Sequence, residues 1–264
     1  MVAEARARRW NPVNPMGLSV LGALIAAWEL LVRGEIAKVQ FLPAPTQIIA
    51  AAGDALVEGE LLGRIAHTVG VTLFGWSVAS VVGVALGLTL GLSPTAHRYS
   101  MTSFEVTRAI PPITFVPVAL LIFGFSFRME LVLVIFGALW PVLVNTIGGV
   151  QAVPAELHDV GTMLRLSRWQ AVRKIVIPAA LPAVLVGLRL ALSLSLVLAI
   201  VAEMVGNPAG IGNGLIAARQ ALRPELMFVY VFVAGLLGVA LNAAFRAAVK
   251  LVVPGSDGEQ DGAW

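Results

Sequence analysis

Few side chains in this sequence could carry out covalent or metal chemistry. The chain contains no cysteine, which excludes disulfides, thiol catalysis and cysteine-based metal sites. Its histidines, His67, His97 and His158, lie far apart and lack the spacing that is typical of metal ligands. We therefore predict neither a catalytic set nor a metal site, and we expect each histidine to be a polar surface residue near a helix end.

Two charged residues within a long apolar run are better candidates for a function. Arg189 lies about three turns into the run at 179–203, and Glu203 lies at its end. A charged side chain inside a membrane is costly unless it is paired or faces a cavity. For Arg189 this leaves open a functional position in a cavity or a structural ion pair with an acid such as Glu105. For Glu203 it leaves open a gate or an ordinary position at the membrane interface.

The elements that must position these residues follow from the apolar composition of the chain. Hydrophobic residues make up 58% of the 264 residues and charged residues 12%, and the mean hydropathy is +0.89. Soluble domains carry about 25% charged residues and roughly half apolar ones. A soluble core of this length could not bury so much apolar surface, so the chain is predicted to be an integral membrane protein.

Six runs are long and apolar enough to cross a membrane as helices, which takes about 20 residues. They are 14–33, 67–92, 104–125, 130–150, 179–203 and 226–250, so the predicted fold class is all-α. The first run is longer than the core of a signal peptide and lacks a cleavage pattern, which favours a retained span. The third is broken by Pro111, Pro112 and Pro117, which the interior of a bundle tolerates where neighbours satisfy the freed backbone groups.

The distribution of lysine and arginine predicts the orientation in the membrane. Ten of these residues lie in the loops and ends on the N-terminal side and six on the other side, which favours a cytoplasmic N-terminus and, with six spans, a cytoplasmic C-terminus. The predicted organisation is a cytoplasmic segment at 1–13, a transmembrane domain at 14–250 and a disordered cytoplasmic tail at 251–264. Segment 34–63 is then external, with an amphipathic helix near the membrane surface, and so is 205–225.

Two glycine patterns invite a functional interpretation. Gly83, Gly87 and Gly91 recur at every fourth position of the second predicted span, a spacing that lets helices pack closely in lipid. The stretch "GIGNG" at 210–214 resembles a nucleotide-binding loop only superficially, because no strand precedes it. We interpret it as an external re-entrant turn, and neither pattern indicates a substrate.

The segment 151–178 is polar and basic although apolar spans flank it. It predicts a helix, a turn and a second helix that Ser167 caps, before Pro178 and Pro182 lead into the next span. A basic amphipathic helix of this kind suits either anionic lipid or a soluble partner, and the residues alone leave both open. The two apolar stripes at helical spacing are Leu157, Val160, Gly161 and Leu164, then Trp169, Val172 and Val176.

The same segment resembles the signature loop of the permease subunits of bacterial ABC importers. That signature is Glu-Ala-Ala, a Gly four residues after the last Ala, and Ile-x-Leu-Pro starting ten residues beyond that Gly. Here the register gives Asp159-Val160-Gly161, then Arg165, then "IVIP" at 175–178, so Asp replaces Glu, Val and Gly replace the alanines, and Arg replaces the signature Gly. Further stretches are similar to the sulfonate/nitrate/taurine branch of these permeases, and the resemblance covers about 16–250: "FLPAPTQII" (41–49), "TRAIPPITFVPVALLIFGF" (107–125), "SRWQAVRKIVIPAALPAVLVGLRLAL" (167–192) and "VAEMVGNPAGIGNGLI" (201–216).

The resemblance implies a six-helix bundle of the type I ABC-importer permease kind with a cytoplasmic coupling helix. Its coupling helix would dock on an ATPase and would contain Glu156, Leu157, Asp159, Val160, Gly161, Leu164 and Arg165. The chain would be a transport subunit of the bacterial inner membrane and not an enzyme. It would bind no cofactor itself, and because it has no Walker A pattern, ATP would be used by the partner.

The partners and cargo that the resemblance implies follow the same family. The partners are ATPase subunits, a second permease copy, an external substrate-binding protein and the lipid bilayer, with no nucleic acid. The cargo would be a small anion such as a sulfonate, nitrate or a taurine-like compound, moved into the cytoplasm by alternating access. Candidate pathway or gate residues are Arg189, Asn145 and Glu203.

Two other classes of protein remain as alternatives. A secondary transporter driven by an ion gradient would need no ATPase, but it predicts inverted repeats and paired broken helices, and no convincing repeat is present. An intramembrane enzyme would need a converging set of catalytic residues, which the sequence lacks. Co-purification with an ATPase subunit would separate the importer from both alternatives.

Overall fold

The structure, a computed structural model, describes residues 15–34 and 41–252, and these residues form helices and no strand. The all-α prediction is confirmed, whereas the predictions for 1–13 and 253–264 lie outside the described residues. A 3₁₀ turn (Pro112–Phe115) precedes α5, and a π-helical turn (Val172–Val176) joins α8 to α9. The helices are α1 Pro15–Arg33, α2 Pro45–Val57, α3 Glu60–Leu92, α4 Pro94–Arg108, α5 Val116–Phe123, α6 Phe127–Gln151, α7 Ala155–Met163, α8 Arg168–Ala171, α9 Ile177–Gly206, α10 Gly210–Gln220 and α11 Pro224–Val252.

Five helical stretches of the described chain are long and apolar enough to cross a membrane: α1, α3, α6, the continuous α8–α9 stretch and α11. A sixth span exists only as a pair, in which α4 and the helix at 112–123 are bent by 76°. The break predicted at the prolines of the third span is therefore present, although the segment begins at Pro94 and not at 104. The helix ends at Arg108 because Pro111 and Pro112 lack amide hydrogens and hold the preceding backbone out of the helical region.

The extended contact between α3 and α6 depends on glycines of α3. A Cβ added to any of four glycines would lie 2.5–2.8 Å from a side-chain atom of α6, so a larger residue would clash. The pairs keep a constant offset of 59 positions, which shows that α3 and α6 run parallel. They are Gly75 with Val134, Gly83 with Val142, Gly87 with Thr146, and Gly91 with Val150, and they confirm the packing role predicted for Gly83, Gly87 and Gly91.

The parallel packing fixes the path of the chain. Between the end of α3 and the start of α6 the chain must return along the bundle, and the bent pair makes this return. Helix α9 then runs antiparallel to both, with the Trp76 indole N–H donating to the Leu188 carbonyl at 2.9 Å. Helix α11 runs back along α9, and Trp28 near the end of α1 packs on Phe228 near the start of α11. The start of α1 and the end of α11 therefore lie at the same end of the bundle as α7.

The amphipathic helix predicted within 34–63 is confirmed as α2. Its apolar face buries Ile48, Ala51 and Ala55 in a cluster with Val229 and Tyr230 of α11. This face explains the helical spacing of its apolar residues. Helix α2 thus covers the beginning of α11 at the end of the bundle opposite α7.

Substitution of Gly87 by Ala should destabilise the bundle. The new Cβ would lie 2.5 Å from the Thr146 Cβ and 3.2 Å from the Leu143 carbonyl oxygen, and overpacking of this kind costs about 1–3 kcal/mol. The same change at Gly70 of α3, where a Cβ meets nothing within 4 Å, should instead stabilise the helix by about 0.5–1 kcal/mol. Thermal unfolding in detergent should show shifts of opposite sign, and equal shifts would contradict the close approach.

Candidate functional site

The segment 155–176 starts with α7, which ends at Met163, two residues before Arg165 at the position of the signature glycine. Arg165 adopts a φ of 48°, in the left-handed region that normally favours glycine. Its N–H donates to the Thr162 carbonyl and the Leu166 N–H to the Gly161 carbonyl, both at 3.0 Å, which is the Schellman pattern of a helix end. The tight turn is therefore present even though Arg replaces Gly.

Several apolar side chains of this segment are exposed. Leu164 is 65% exposed and Trp169 is 70% exposed. Three residues of α7 are also exposed: Glu156, Leu157 and Asp159. Gly161 faces the second helix, since a Cβ there would lie 3.1 Å from the Ile175 Cδ1. Val160 keeps its predicted place in α7, but its side chain lies outside the described ones. An exposed apolar surface on a short helix at one end of a membrane bundle is typical of an interaction site.

The second half of the segment continues directly into a membrane helix. Ser167 caps α8 as predicted, its hydroxyl accepting from the Gln170 N–H at 3.3 Å. Pro178 lies at the start of α9, the predicted entry to the next span, whereas Pro182 lies inside that helix. Pro178 sits in the first turn of α9, where a missing N–H costs little, and the π-helical turn before it absorbs the change in hydrogen bonding. Because the helix continues from α8 through the π-helical turn into α9, a movement of α8 would also move α9.

Two of the predicted pathway residues lie in the middle of the bundle. The Arg189 Nε donates to the Asn242 Oδ1 at 3.0 Å, so this cation joins α9 to an amide of α11 rather than to Glu105. The Asn145 Nδ2 donates to the Pro141 carbonyl of its own helix at 2.8 Å. A Cβ added to Gly187 of α9 would lie 2.8 Å from the Asn145 Cβ. Asn145 therefore donates to its own helix and supports close packing of α6 on α9.

The third predicted pathway residue belongs to a buried group that we call the polar cluster: His67, Thr68, Glu130, Glu203 and Asn207. Glu130 and Glu203 are both fully buried. The His67 Nε2 lies 2.9 Å from the Glu130 Oε2, and the Asn207 Nδ2 donates to the Glu130 Oε1 at 2.7 Å. The Thr68 hydroxyl donates to the Glu203 Oε2 at 3.0 Å. Helices α3, α6 and α9 thus meet at the end of the bundle opposite α7.

The glycines at 210–214 build one wall of the polar cluster. They open helix α10, so the prediction of a re-entrant turn over these residues is wrong. The Gly212 N–H donates to the Glu203 Oε2 at 2.9 Å, and a Cβ on Gly212 would lie 2.1 Å from the Ile200 carbonyl oxygen. Gly210 has a φ of 87°, and a Cβ there would lie 2.2 Å from the Glu203 carboxyl carbon. Glycine is needed at positions 210 and 212 because the Glu203 carboxyl group and the Ile200 carbonyl oxygen occupy the space that a side chain would need.

The sequence did not indicate His67, Glu130 or Asn207 as members of one site. His67 was expected on the surface, yet its side chain is 22% exposed and bonds to a buried carboxylate. The three residues come from three separate parts of the chain, which only the packing of α3, α6 and α9 brings together. The feature of the sequence that could have indicated this site is Glu130, a carboxylate at the start of an apolar run. If such a group is buried, it requires partners.

The sequence and the fold are similar to those of known transport proteins. Residues 79–257 match the profile of the family described as binding-protein-dependent transport system inner membrane component. The chain is 28% identical over 165 residues to the putative aliphatic sulfonates transport permease protein SsuC of Bacillus subtilis, covering 62% of this chain and 60% of that protein. It is 29% identical to the nitrate import permease protein NrtB of Leptolyngbya laminosa, over 60% of this chain and 58% of that protein. The chain thus spans about three fifths of the length of these relatives.

The taurine transport system permease protein TauC of Escherichia coli is also similar, with 24% identity over 66% of each chain. Among solved structures, a chain of the MetNI methionine ABC transporter in an inward-facing conformation has the same fold. Its TM-score is 0.65 at 18% identity, covering 73% of this chain and 96% of that chain. With more than half of its residues matching the profile, the chain belongs to the family of inner-membrane components of binding-protein-dependent transport systems.

Proposed function

We propose that the protein is the membrane-spanning permease subunit of an ATP-driven importer of a small anion. The names of its relatives support this cargo, because aliphatic sulfonates, nitrate, bicarbonate and taurine all carry a small anionic group. The chain itself carries out no ATP chemistry, and ATP is used by a separate ATPase subunit. A second permease copy and an external binding protein complete the proposed assembly.

The exposed segment 155–176 carries the proposal. Helix α7 presents Leu157, Glu156 and Asp159 to the surroundings, and Leu164 directly after it is also exposed. This surface lies at the end of the bundle where the described chain begins and ends. A short helix whose apolar side chains are exposed suits insertion into a groove of a partner. We propose that this partner is the ATPase and that this end of the bundle is cytoplasmic, with residues 151–178 as the coupling loop.

The continuity of α8 with α9 supports a mechanism for coupling. Force applied to α7 and α8 by closure of an ATPase dimer would move α9 as a rigid body, because helix geometry is maintained from 168 to 206 except for one π-helical turn. Helix α9 carries Arg189 in the middle of the bundle and Glu203 at its far end, roughly 38 Å from Pro178. The bundle would then alternate between inward-open and outward-open states by rigid-body motion.

We further propose that Arg189 lies along the path of the anion. It is partly buried and near the middle of α9, where a cation is too costly to face lipid. A fixed cation there would attract an anion and raise the barrier for cations. Glu203 is proposed as part of a gate and Asn145 as a packing residue beside the path.

A docking experiment tests the proposed function. Leu164→Glu should abolish co-purification with the ATPase encoded beside the gene, since a charge replaces a side chain that inserts into an apolar groove. Asp159→Lys should reduce binding or uncouple transport, while both variants keep wild-type thermal stability because the changed side chains are exposed. Co-purification in detergent and uptake of a labelled sulfonate or nitrate are the measurements.

The matched controls are at the opposite end of the bundle. Leu222 is 71% exposed, so Leu222→Glu makes the same chemical change away from α7, and Asp54→Lys matches the change at Asp159. Both controls should retain the ATPase. If Leu164→Glu binds the ATPase as well as Leu222→Glu does, α7 is not the docking site; if no ATPase binds even the wild-type protein, the importer assignment itself fails.

A further inference from the structure

We propose that the polar cluster is a binding site for a divalent first-row transition-metal ion, with the His67 Nε2 and the carboxylates of Glu130 and Glu203 as ligands. One ligand atom from each of these residues lies within 4.8 Å of the other two. The ligands come from three helices, α3, α6 and α9. This site lies at the end of the bundle opposite the docking surface. It shares Glu203 with the proposed gate, but ion binding can be measured whether or not the proposed function is correct.

The separations fit direct coordination. Imidazole nitrogens and carboxylate oxygens bind zinc at about 2.0–2.2 Å, so two ligands of a tetrahedral ion lie roughly 3.4 Å apart. The His67 Nε2 and the Glu130 Oε2 are 2.9 Å apart, slightly closer than this. Glu203 completes the triangle within the 4.8 Å limit. Side-chain rotations would bring all three atoms into a first coordination shell, with water in the remaining positions.

A second observation points to a ligand at this place. The Glu203 Oε1 is buried, with the residue 0% exposed, and it has no hydrogen-bond partner among residues 15–34 and 41–252. The other oxygen, Oε2, already accepts from the Thr68 hydroxyl and the Gly212 N–H. A buried carboxylate oxygen without a partner carries a large desolvation cost, which a coordinated cation would offset.

The charge balance of the polar cluster also favours a cation. Two carboxylates are buried together, and Arg64, one helical turn before Thr68 in α3, makes no ion pair with either of them. Arg64 instead pairs with Glu60 and donates to the Gly210 carbonyl and the Asn213 Oδ1, both at 3.1 Å. A divalent ion would neutralise both carboxylates, whereas neutral His67 would supply only a nitrogen ligand.

The surroundings of the three ligands resemble the support that metal ligands need. The Asn207 Nδ2 holds the Glu130 Oε1, and the Thr68 hydroxyl holds the Glu203 Oε2, so each carboxylate is oriented by a second group. His67 is 22% exposed, which leaves an access route for the ion. One imidazole with two carboxylates suits zinc, manganese or iron(II) and not copper(I), which prefers sulfur.

The test uses the full-length protein in detergent, stripped with a chelator and then loaded with Zn²⁺ or Mn²⁺. After removal of free ion, mass spectrometry of the metal content should give about one equivalent per chain, and the melting temperature should rise with ion concentration because the ion binds the folded state. Glu203→Gln, Glu130→Gln and His67→Gln should each lower the bound metal at least tenfold. Thr68→Val, which only loosens a ligand, should weaken affinity by about 10–100-fold.

Matched controls are His97→Gln and Glu105→Gln, which remove the same side-chain types outside the polar cluster and should leave the metal content unchanged. The X-ray absorption spectrum of bound zinc in the wild-type protein should show a single imidazole and oxygen ligands, and this measurement does not depend on the folding of any variant. A folded wild-type protein that binds no ion would overturn the proposal in favour of protons shared by the carboxylates. Equal binding by the ligand variants, or two or more imidazoles in the spectrum, would place the ion elsewhere and overturn it too.

Discussion

Gly212→Ala should prevent the protein from reaching a stable folded state. The added Cβ would lie 2.1 Å from the Ile200 carbonyl oxygen, 2.9 Å from the Glu203 Cβ and 3.0 Å from the Met204 nitrogen. Two of these neighbours are backbone atoms of α9, which cannot rotate away as a flexible side chain would. We expect a loss of about 3 kcal/mol or more, at the upper end for overpacking, because α10 must move away from α9 to make room.

The measurement is the fraction of monodisperse protein after detergent extraction, followed by thermal unfolding. Gly148→Ala in α6 is the control, because a Cβ there meets nothing within 4 Å and the variant should behave as wild type. Wild-type yield and stability for Gly212→Ala would show that α10 does not pack on α9 as closely as described.

Arg189→Gln should abolish transport while leaving the assembled protein intact. The glutamine keeps a polar side chain near Asn242 but removes the positive charge proposed to attract the anion. We expect uptake to fall at least tenfold, equivalent to about 1.4 kcal/mol in the transport barrier. Uptake of a labelled anion into cells or vesicles is the measurement, with co-purification of the ATPase as the check on assembly.

Two further variants separate the charge from the hydrogen bond. Arg189→Lys keeps the charge without the Nε that donates to Asn242, and Asn242→Ala removes the acceptor. If the charge acts on the anion, Arg189→Lys and Asn242→Ala retain most of the uptake that Arg189→Gln loses. Failure of assembly in all three variants would mean that Arg189 serves the packing of α9 on α11. Wild-type uptake by Arg189→Gln would contradict both roles.

The features that the sequence predicted well depend on local spacing. The glycine stripe of α3, the cap at Ser167 and the register around Arg165 each involve residues within a few turns, so their pattern is visible without tertiary structure. At position 165 the residue type differs from the signature, because Arg replaces Gly, but the backbone keeps the left-handed conformation. A left-handed residue other than glycine costs on the order of 1 kcal/mol, which the two hydrogen bonds at the end of α7 offset.

The features that were missed depend on contacts between distant parts of the chain. The ligands proposed around Glu130 and Glu203 lie in different helices, and no spacing within one helix reveals that they meet. In the third predicted span the break was visible from Pro111 and Pro112. The start of that segment at Pro94 was missed, because hydropathy does not detect the polar first half of α4.

The parallel packing of α3 and α6 has a consequence for how the chain is made. Each of the four glycines of α3 that pack on α6 has its partner 59 positions further along, so at typical rates of synthesis roughly 3–12 s pass between the emergence of a glycine and that of its partner. During this interval the groove of α3 faces lipid or the insertion machinery. A nascent chain that stops before Phe127 therefore has no helix to fill the groove, and we expect quality-control proteases to degrade such truncated chains.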